Sequence, residues 1–268
     1  MRTFKQGDFW GGFLVLDPST LDQQFQAFED LTASTPYDRY AALIFSLSYQ
    51  PEQGIWLPVN NIQYTKPEPY PATFQNFTSL PQIYNTLRIS NLSDKASELS
   101  ESNPSGRRQL HTTATYTNSA AFLKRFYEIA NEEVQPLSQI PNLLFSLSFQ
   151  PLPTVIQATD ALNGGNSLGL DESDGNLFNV LLSAGWDDET DDETVRKHAR
   201  QLFERANAGA EKEGLRNQYI YLNYADFWQD PIGGYGAEVK ERLERVSRVY
   251  DPRGVFQRLV PGGFKLFG

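Results

Sequence analysis

The sequence predicts an α+β protein with one large antiparallel sheet, helices packed on one face of that sheet, and a helical C-terminal tail. An internal sequence repeat is the main observation: residues 45–51 read FSLSYQP and residues 145–151 read FSLSFQP. A strand-like segment and then a helical stretch precede each copy, so a strand-helix-strand unit occurs twice. Short apolar patterns also recur by chance, but the shared order of three elements favours a duplicated unit.

Each predicted unit starts with a strand and continues into an amphipathic helix. The first strand covers 10–16 and its helix starts at Ser19; the second strand covers 109–116 and its helix starts at Asn118. The apolar residues on one face of the two helices are Leu21, Phe25, Phe28 and Leu31, then Phe122, Phe126 and Ile129. Spacing of three and four residues is typical of a helix that buries one side.

The repeated strands alternate apolar and polar residues. In the first copy the apolar set is Phe45, Leu47 and Tyr49, and the polar set is Ser46, Ser48 and Gln50. Successive side chains of a strand point to opposite faces, so one face of the sheet should be core. The other face is polar, and we expect it to line a substrate cleft.

The remaining elements follow in order. Residues 67–81 and 93–106 are rich in Pro, Ser, Asn and charge, which predicts loops around short structure. An apolar strand is predicted over 177–186, and a helix over about 189–213 ends near Gly214. The tail helix after Gly236 carries apolar residues at helical spacing: Val239, Leu243, Val246 and Val249.

Size and charge narrow the function classes. The chain has 268 residues, 40% of them hydrophobic, which suffices for one or two globular domains. A formal charge of -10 and a pI near 4.8 argue against nucleic acid or an anionic membrane as partner. No run reaches the roughly 20 apolar residues of a membrane span. Small-molecule chemistry is the better expectation.

Signals for localisation and disulfides are sparse. The N-terminus lacks the apolar core of a signal peptide, whereas sequons at Asn76 and Asn91 would suit a secreted protein, so the localisation stays unknown. The chain has no Cys, which excludes disulfides and thiolate metal sites.

Metal and nucleotide motifs are weak. The acidic run 187–193 invites a calcium interpretation, but its spacing differs from the EF-hand loop, and acids are favoured where a helix begins. The two His residues, His111 and His198, have no third nitrogen or thiolate ligand beside them, so no metal site is predicted. The usual hydrolase elbow, Walker loop and Rossmann fingerprint are absent from the sequence.

The last fifty residues carry the most specific pattern. YLNYAD at 221–226, read as a strand, precedes GYG at 234–236 and YDPRGVF at 250–256, while GNLF at 175–178 opens a strand that Trp186 closes. This ordered set resembles the berberine-bridge-enzyme-like group of FAD-linked oxidases, within the vanillyl-alcohol-oxidase fold. The resemblance spans the whole chain and about the second half of such an enzyme.

The resemblance implies a division of the chain and a cofactor. Residues 1–216 would form the substrate-binding domain and 217–268 the flavin-side segment, with the N-terminal FAD-binding domain absent from this chain. FAD would be the cofactor, although this chain alone is not expected to hold it tightly. The partners would be a small-molecule substrate and a complementing FAD-binding domain.

The resemblance also implies site residues. Asn223 and Tyr224 would lie beside the isoalloxazine ring with Tyr221 supporting them, and the Tyr224 phenol would bind substrate or act as base. Without the resemblance, these tyrosines are ordinary half-buried sheet residues. The position where the family commonly has Glu or Gln falls on Leu181, with Asn179 two residues earlier.

A leucine cannot accept a proton, so either the catalytic base comes from elsewhere or the reaction is lost. His111 follows two arginines and could point into the cleft, which makes Asn179, Leu181 and His111 the candidate substrate contacts. Two functions therefore stay open. The chain is either the substrate half of an FAD-linked oxidoreductase or a truncated, non-catalytic small-molecule binding or scaffold module.

Overall fold

The computed structural model describes residues 5–101, 106–162 and 165–267. The strands are β1 Phe9–Leu16, β2 Ala41–Gln50, β3 Ile55–Tyr64, β4 Gln82–Asn85, β5 Arg88–Ser90, β6 Arg108–Thr117, β7 Leu144–Leu152, β8 Leu177–Trp186 and β9 Arg216–Asn217. The α-helices are α1 Leu21–Ala33, α2 Gln75–Thr78, α3 Leu92–Glu101, α4 Ala120–Val134, α5 Thr154–Leu162, α6 Asp192–Glu213, α7 Ala237–Tyr250 and α8 Val255–Arg258. The predicted α+β class with a large antiparallel sheet is confirmed.

The nine strands of the described segments form one sheet at the centre, in the order β4-β1-β3-β2-β7-β8-β6-β9, with β5 also paired to β1. The two predicted units are β1-α1-β2 and β6-α4-β7. In each, the next strand along the chain, β3 or β8, inserts between the two strands of the unit. The units meet at the β2–β7 pair, whose register is symmetric about Leu47 and Leu147. This symmetric junction supports a duplicated unit.

One face of the sheet is covered by α1, α4 and α6 and forms the core. Phe149 of β7 lies at its centre, with ring centroids 5.7 Å from Phe45, 5.9 Å from Phe126 and 6.0 Å from Phe178. Tilted and edge-on aromatic pairs of this kind stabilise a core beyond simple burial. The opposite face, called the polar face below, has no such layer of long helices among the described residues.

Local signals explain the main helices. Ser119 caps α4 by accepting a hydrogen bond from the Phe122 amide at 3.2 Å. The acidic run leads into α6, where Asp188 caps the preceding turn by accepting from the Thr190 amide at 2.9 Å. Gly214 ends α6 in the left-handed conformation, with φ 68°.

The structure differs from the sequence-based expectations in two places. The segment 93–106, predicted as a loop around short structure, includes most of the ten-residue helix α3. The segment 221–226, predicted as a strand, is a loop containing one tight turn at Leu222–Tyr224, and only β9 continues the sheet beyond α6. The tail then ends in α7 and α8, as expected.

Candidate functional site

Three rows of side chains cross the polar face. The first row, from β6 to β2, is His111, Ser183, Ser146 and Ser48; the second is Thr113, Leu181, Ser148 and Ser46; the third is Thr115, Asn179 and Gln150. The Ser46 and Ser148 hydroxyl oxygens are 2.8 Å apart across the β2–β7 junction. Because these side chains are mostly neutral and hydroxyl-bearing, the face suits uncharged, oxygen-rich molecules.

Leu181 lies half-buried in the second row, between Thr113 and Ser148. It adds an apolar contact to the middle of an otherwise polar surface. Its side chain has no proton acceptor, so any acid-base chemistry on this face must come from a neighbouring residue.

Asn179 is buried, with only 3% of its surface exposed. Its amide donates to the Thr113 hydroxyl at 2.9 Å, the Thr115 hydroxyl at 3.1 Å and the Ala114 carbonyl at 3.2 Å. These bonds join β8 to β6 beneath the polar surface. As a substrate contact, Asn179 stays a prediction, and a ligand would have to compete with these protein partners.

His111 is exposed on the polar face, and its Nε2 lies 3.1 Å from the Ser183 hydroxyl. Partial desolvation lowers the pKa of the imidazole, while the negative charge of Asp226 acts in the opposite direction. A hollow of about 280 Å³ lies over this end of the face and is lined by both residues. The imidazole therefore faces open space, and partial burial keeps its pKa below the usual value.

Tyr221, Asn223 and Tyr224 form a small cluster over the other end of the polar face. The Tyr224 hydroxyl accepts a hydrogen bond from the Gln150 amide at 3.0 Å, and the Asn223 amide donates to the Tyr221 hydroxyl at 2.9 Å. The two tyrosine rings pack edge-on with centroids 4.6 Å apart. The loop thus brings all three predicted flavin-side residues together beside the third row.

Gln229 attaches this loop to the edge of the sheet. Its side-chain oxygen accepts from the Thr113 amide at 3.2 Å and from the Asp226 amide at 3.0 Å, and its nitrogen donates to the Thr113 carbonyl at 2.7 Å. The side chain therefore takes the place of a neighbouring strand at Thr113, next to the short pairing of β6 with β9. Nothing in the local sequence around Gln229 signals this role.

Asp226 is the buried acid of the loop, with 8% of its surface exposed. Burial raises its pKa, and the Phe227 amide, Arg196 and His111 act in the opposite direction. Arg196 lies 4.0 Å away on α6. The loop carboxyl is therefore placed to interact electrostatically with the imidazole on the polar face.

Two features of the described residues bear on other functions. No group of three or more His, Cys, Asp or Glu side chains in those segments is arranged to hold a metal ion. None of the helices described is both long and apolar enough to cross a bilayer.

Comparison with known proteins gives the family. The chain is 36% identical over 279 residues to the FAD-dependent monooxygenase elcE of Phaeosphaeria nodorum, covering 99% of this chain and 80% of that protein. It is also 36% identical over 266 residues to the FAD-dependent monooxygenase sdcF of Emericella nidulans, covering 97% of this chain and 55% of the relative. No protein-family model matches the sequence.

Solved structures show the same fold. The chain superposes on 6-hydroxy-D-nicotine oxidase of Arthrobacter nicotinovorans with a TM-score of 0.67 at 14% identity, covering 94% of this chain and 54% of that one. For the xylooligosaccharide oxidase of Myceliophthora thermophila the TM-score is 0.63 at 11% identity, with 93% and 54% covered. The chain thus spans about half the length of most of these proteins.

The chain belongs to the family of these FAD-dependent monooxygenases, and it has the fold of about half of a berberine-bridge-enzyme-like FAD-linked oxidase. FAD is the cofactor of this family. The neutral amide and hydroxyl groups of Gln150, Asn223 and Tyr224 fit the hydrogen-bonding edge of a flavin ring. Arg107, beside the hollow, is already bound to Asp187 and the Asn142 carbonyl, so this side chain is not free for the diphosphate.

Proposed function

We propose that this chain supplies the substrate-facing half of an FAD-linked oxidoreductase that oxidises a C–H or alcohol group of a small organic molecule. The observation that supports it best is the polar face itself, which lies opposite a fully packed core and has the Tyr224 cluster attached at one end. In an isolated globule, such a face would have no partner. In the proposed enzyme it would form one wall of the cavity in which substrate meets cofactor.

The residues have distinct roles in this proposal. Tyr224 would hydrogen-bond the substrate or, once its own phenol is deprotonated, accept the substrate's proton, because its hydroxyl is held at the edge of the face by Gln150. Tyr221 and Asn223 would keep that hydroxyl in place and contact the ring edge. FAD, when bound, would supply the hydride acceptor for this oxidation. Leu181 and the serine rows would shape the substrate wall.

A complementing FAD-binding half is part of the proposal. The tail exposes several large apolar side chains, among them Val249 at 72%, Phe256 at 67% and Leu259 at 75%. Contiguous exposed apolar groups commonly mark a binding surface. We infer that this surface packs against the FAD-binding half, which corresponds to the part of the longer relatives that this chain does not match.

The alternative is a non-catalytic binding module. Leu181 favours it, because the position aligned with the family's Glu or Gln has no proton acceptor. Such a module would keep the polar face and bind a ligand without oxidising it. The two proposals differ in whether a flavin bound beside this face becomes reduced.

A chimeric protein distinguishes the oxidoreductase proposal from the binding-module proposal. The region of the sdcF monooxygenase that this chain matches is replaced by residues 1–268, and the purified chimera is tested for retained flavin absorbance. Anaerobic stopped-flow mixing with a panel of phenols, alcohols and sugars then measures flavin reduction. The oxidoreductase proposal expects a flavin that is retained and reduced by at least one compound. Retained flavin that none of the panel reduces supports the binding module.

Tyr224→Phe tests the assigned residue in the same chimera. Loss of a positioned acid-base group lowers the rate of flavin reduction about 10²-fold or more. Tyr84→Phe is the matched control, because Tyr84 is 59% exposed on β4 at the far edge of the sheet. If the flavin is reduced at the same rate in the two variants, Tyr224 has no part in the reaction.

A further inference from the structure

A second cleft lies away from the polar face, between helix α6 and the tail loop. Its volume is about 470 Å³. The α6 wall presents Arg196, Lys197 and Arg200, and the loop wall presents Phe227 and Trp228. The residues assigned above to the substrate wall and to the Tyr224 cluster do not line it. The proposed function therefore gives this cleft no role.

Arg196 is held against two aromatic rings in this cleft. Its guanidinium carbon lies 5.9 Å from the centroid of the Trp186 ring and 5.8 Å from the centroid of the Phe227 ring. At these distances a cation is attracted to the face of an aromatic ring. The ion pair with Asp226 measures 4.0 Å, which is too long for a hydrogen bond. Within the described segments, the N–H groups of Arg196 therefore have no hydrogen-bond acceptor.

The other charges of the cleft are mostly satisfied by neighbours. Asp192 is bound by the Arg108 guanidinium, and Asp226 is buried, with 8% of its surface exposed. Asp226 offsets part of the positive charge of Arg196 but leaves its N–H groups free. Glu193 and Lys197 lie one turn apart on α6 with opposite charges, so their effects on an approaching ion largely cancel. The free donors of Arg196 are therefore the main anchor for a ligand.

The aromatic wall determines the rest of the ligand. Phe227 has 78% of its surface exposed, and Trp228 beside it is partly buried. The Arg200 guanidinium carbon lies 5.3 Å from the Trp228 ring centroid, and its Nε donates to Glu204 at 2.9 Å. Arg200 thus forms part of the wall and is already paired. A flat apolar group can pack against the exposed face of Phe227 while an attached anion reaches Arg196.

The shape of the guanidinium selects the anion. The parallel N–H groups of an arginine match the two oxygens of a carboxylate, and such two-point contacts are stronger than contacts to a point charge. A volume of about 470 Å³ lies within the range of small-molecule sites and accommodates a naphthalene-sized ring with one carboxylate. An aromatic carboxylic acid meets both requirements.

We propose that this cleft is a second ligand site, which binds an aromatic carboxylic acid by pairing its carboxylate with Arg196 and packing its ring against Phe227. The ligand bridges α6 and the tail loop. Because Phe227 is only three residues after Tyr224, this bridge restrains the loop that carries the Tyr224 cluster. The bound acid therefore acts on the loop from outside the substrate cavity and undergoes no reaction.

Naphthalene-2-carboxylate is the probe, and calorimetric titration of the flavin-free chain measures its dissociation constant. The wild-type chain should bind it with a Kd of about 1 mM or lower. Naphthalene-2-methanol has the ring without the charge, and acetate has the charge without the ring. Each should bind at least tenfold more weakly than the probe.

Two variants test the two contacts. Arg196→Lys keeps the positive charge but loses the parallel N–H groups, and Phe227→Ala removes a side chain that is mostly exposed and so contributes little to folding. Each should weaken binding of the probe at least tenfold. Arg245→Lys is the matched control, because Arg245 of α7 makes a similarly long ion pair, 3.9 Å to Glu241, and does not line the cleft. Its dissociation constant should equal that of wild type.

Restraint of the loop is measured by proteolysis. The probe should slow cleavage within 217–235 in the wild-type chain but not in Arg196→Lys. Absence of saturable binding, equal binding of the neutral alcohol, unchanged binding in either variant, or cleavage that the probe does not slow overturns the proposal. Because no flavin is present and the polar face is not involved, these results are independent of whether the chimera is reduced.

Discussion

Gln229 shows how one side chain can decide the position of a whole segment. Its amide bonds to both the N–H and the carbonyl of Thr113, and its oxygen also accepts from the Thr112 hydroxyl at 3.0 Å. The edge of β6 at Thr113, next to its short pairing with β9, is thereby closed by a side chain. The same amide accepts a hydrogen bond from the Asp226 amide, two residues after Tyr224, so the position of the buried carboxyl depends on it.

Replacing Gln229 should therefore loosen the tail loop. Gln229→Ala leaves the Thr113 amide and carbonyl without their partner, which costs about 1–3 kcal/mol of the free energy of unfolding. We expect faster proteolytic cleavage within 217–235 and a lower denaturation midpoint. Gln53→Ala, in the exposed β2–β3 turn, is the control and should change neither. Equal cleavage rates for the two variants would show that other contacts hold the loop.

The site residues differ in how far the sequence alone could reveal them. The alternation of apolar and polar residues in the two repeated strands predicts the serines of β2 and β7 on the polar face. The tail motif predicts Tyr221, Asn223 and Tyr224. The sequence could not show that Asn179 bonds to Thr113 and Thr115, because that requires the β6–β8 register. The role of Gln229 depends on a contact between residues 116 positions apart, for which no local pattern exists.

At the scale of the elements, one buried acid joins helices α4 and α6 at their interface. Glu133 of α4 accepts hydrogen bonds from the His198 ring at 2.8 Å and the Arg205 guanidinium at 2.6 Å, both on α6. Burial raises the pKa of Glu133, but the hydrogen bonds and charges of these two residues outweigh it, and the net pKa is lowered. The ionised carboxylate of Glu133 therefore stabilises the α4–α6 interface.

This arrangement predicts that the α4–α6 interface stabilises the fold less at acidic pH. A carboxylate whose pKa is lower in the folded than in the unfolded protein stabilises the fold above the unfolded value of about 4.3, and that contribution is lost as the pH falls through the folded pKa. Glu133→Gln should lower the free energy of unfolding at neutral pH by about 1.5–3 kcal/mol and flatten its dependence on pH below that value.

Urea denaturation of wild type and variant between neutral and acidic pH provides the measurement. Glu132→Gln is the control, because Glu132 also binds Arg205 but its side chain is 64% exposed. Its effect should stay below about 1 kcal/mol. The same acid dependence in Glu133→Gln and wild type would show that other carboxylates control the acid transition.

The elements themselves were largely predictable, because alternation and helical spacing are local properties. The helices α1, α4, α6 and α7 begin and end close to where apolar spacing and caps place them. The insertion of β3 and β8 between the strands of each unit was not predictable, since pairing order depends on distant contacts. The YLNYAD segment was wrongly predicted as a strand, because its aromatic residues pack against one another and Gln150 instead of against a ladder.

At the scale of the whole molecule, the buried core and the exposed apolar surface lie in different parts of the chain. The sheet and its three long helices form a closed core on one side. The tail differs: α7 has no buried residue, although Val246 and Val249 follow the helical spacing of a packed face. An amphipathic helix without a buried face is typical of an element that packs against another domain.

The tail surface should therefore bind the complementing half. Two parts are expressed separately and then mixed with FAD. One is residues 1–268 of this chain, and the other is the portion of the sdcF monooxygenase that this chain does not match. Phe256→Ser combined with Leu259→Ser removes two of the most exposed tail side chains and should weaken association at least tenfold, equivalent to about 1.4 kcal/mol. Calorimetric titration measures the dissociation constant directly.

The control for this surface lies at the far edge of the sheet. Ile83→Ser combined with Tyr84→Ser alters two residues of β4 that are 57% and 59% exposed, so the loss of apolar area is comparable. Both double variants should unfold at the wild-type urea concentration, because neither set of side chains is buried in this chain. Selective weakening by the tail variant places the FAD-binding half against α7 and α8. Equal weakening by both would mean that the association depends on general hydrophobicity rather than on this surface.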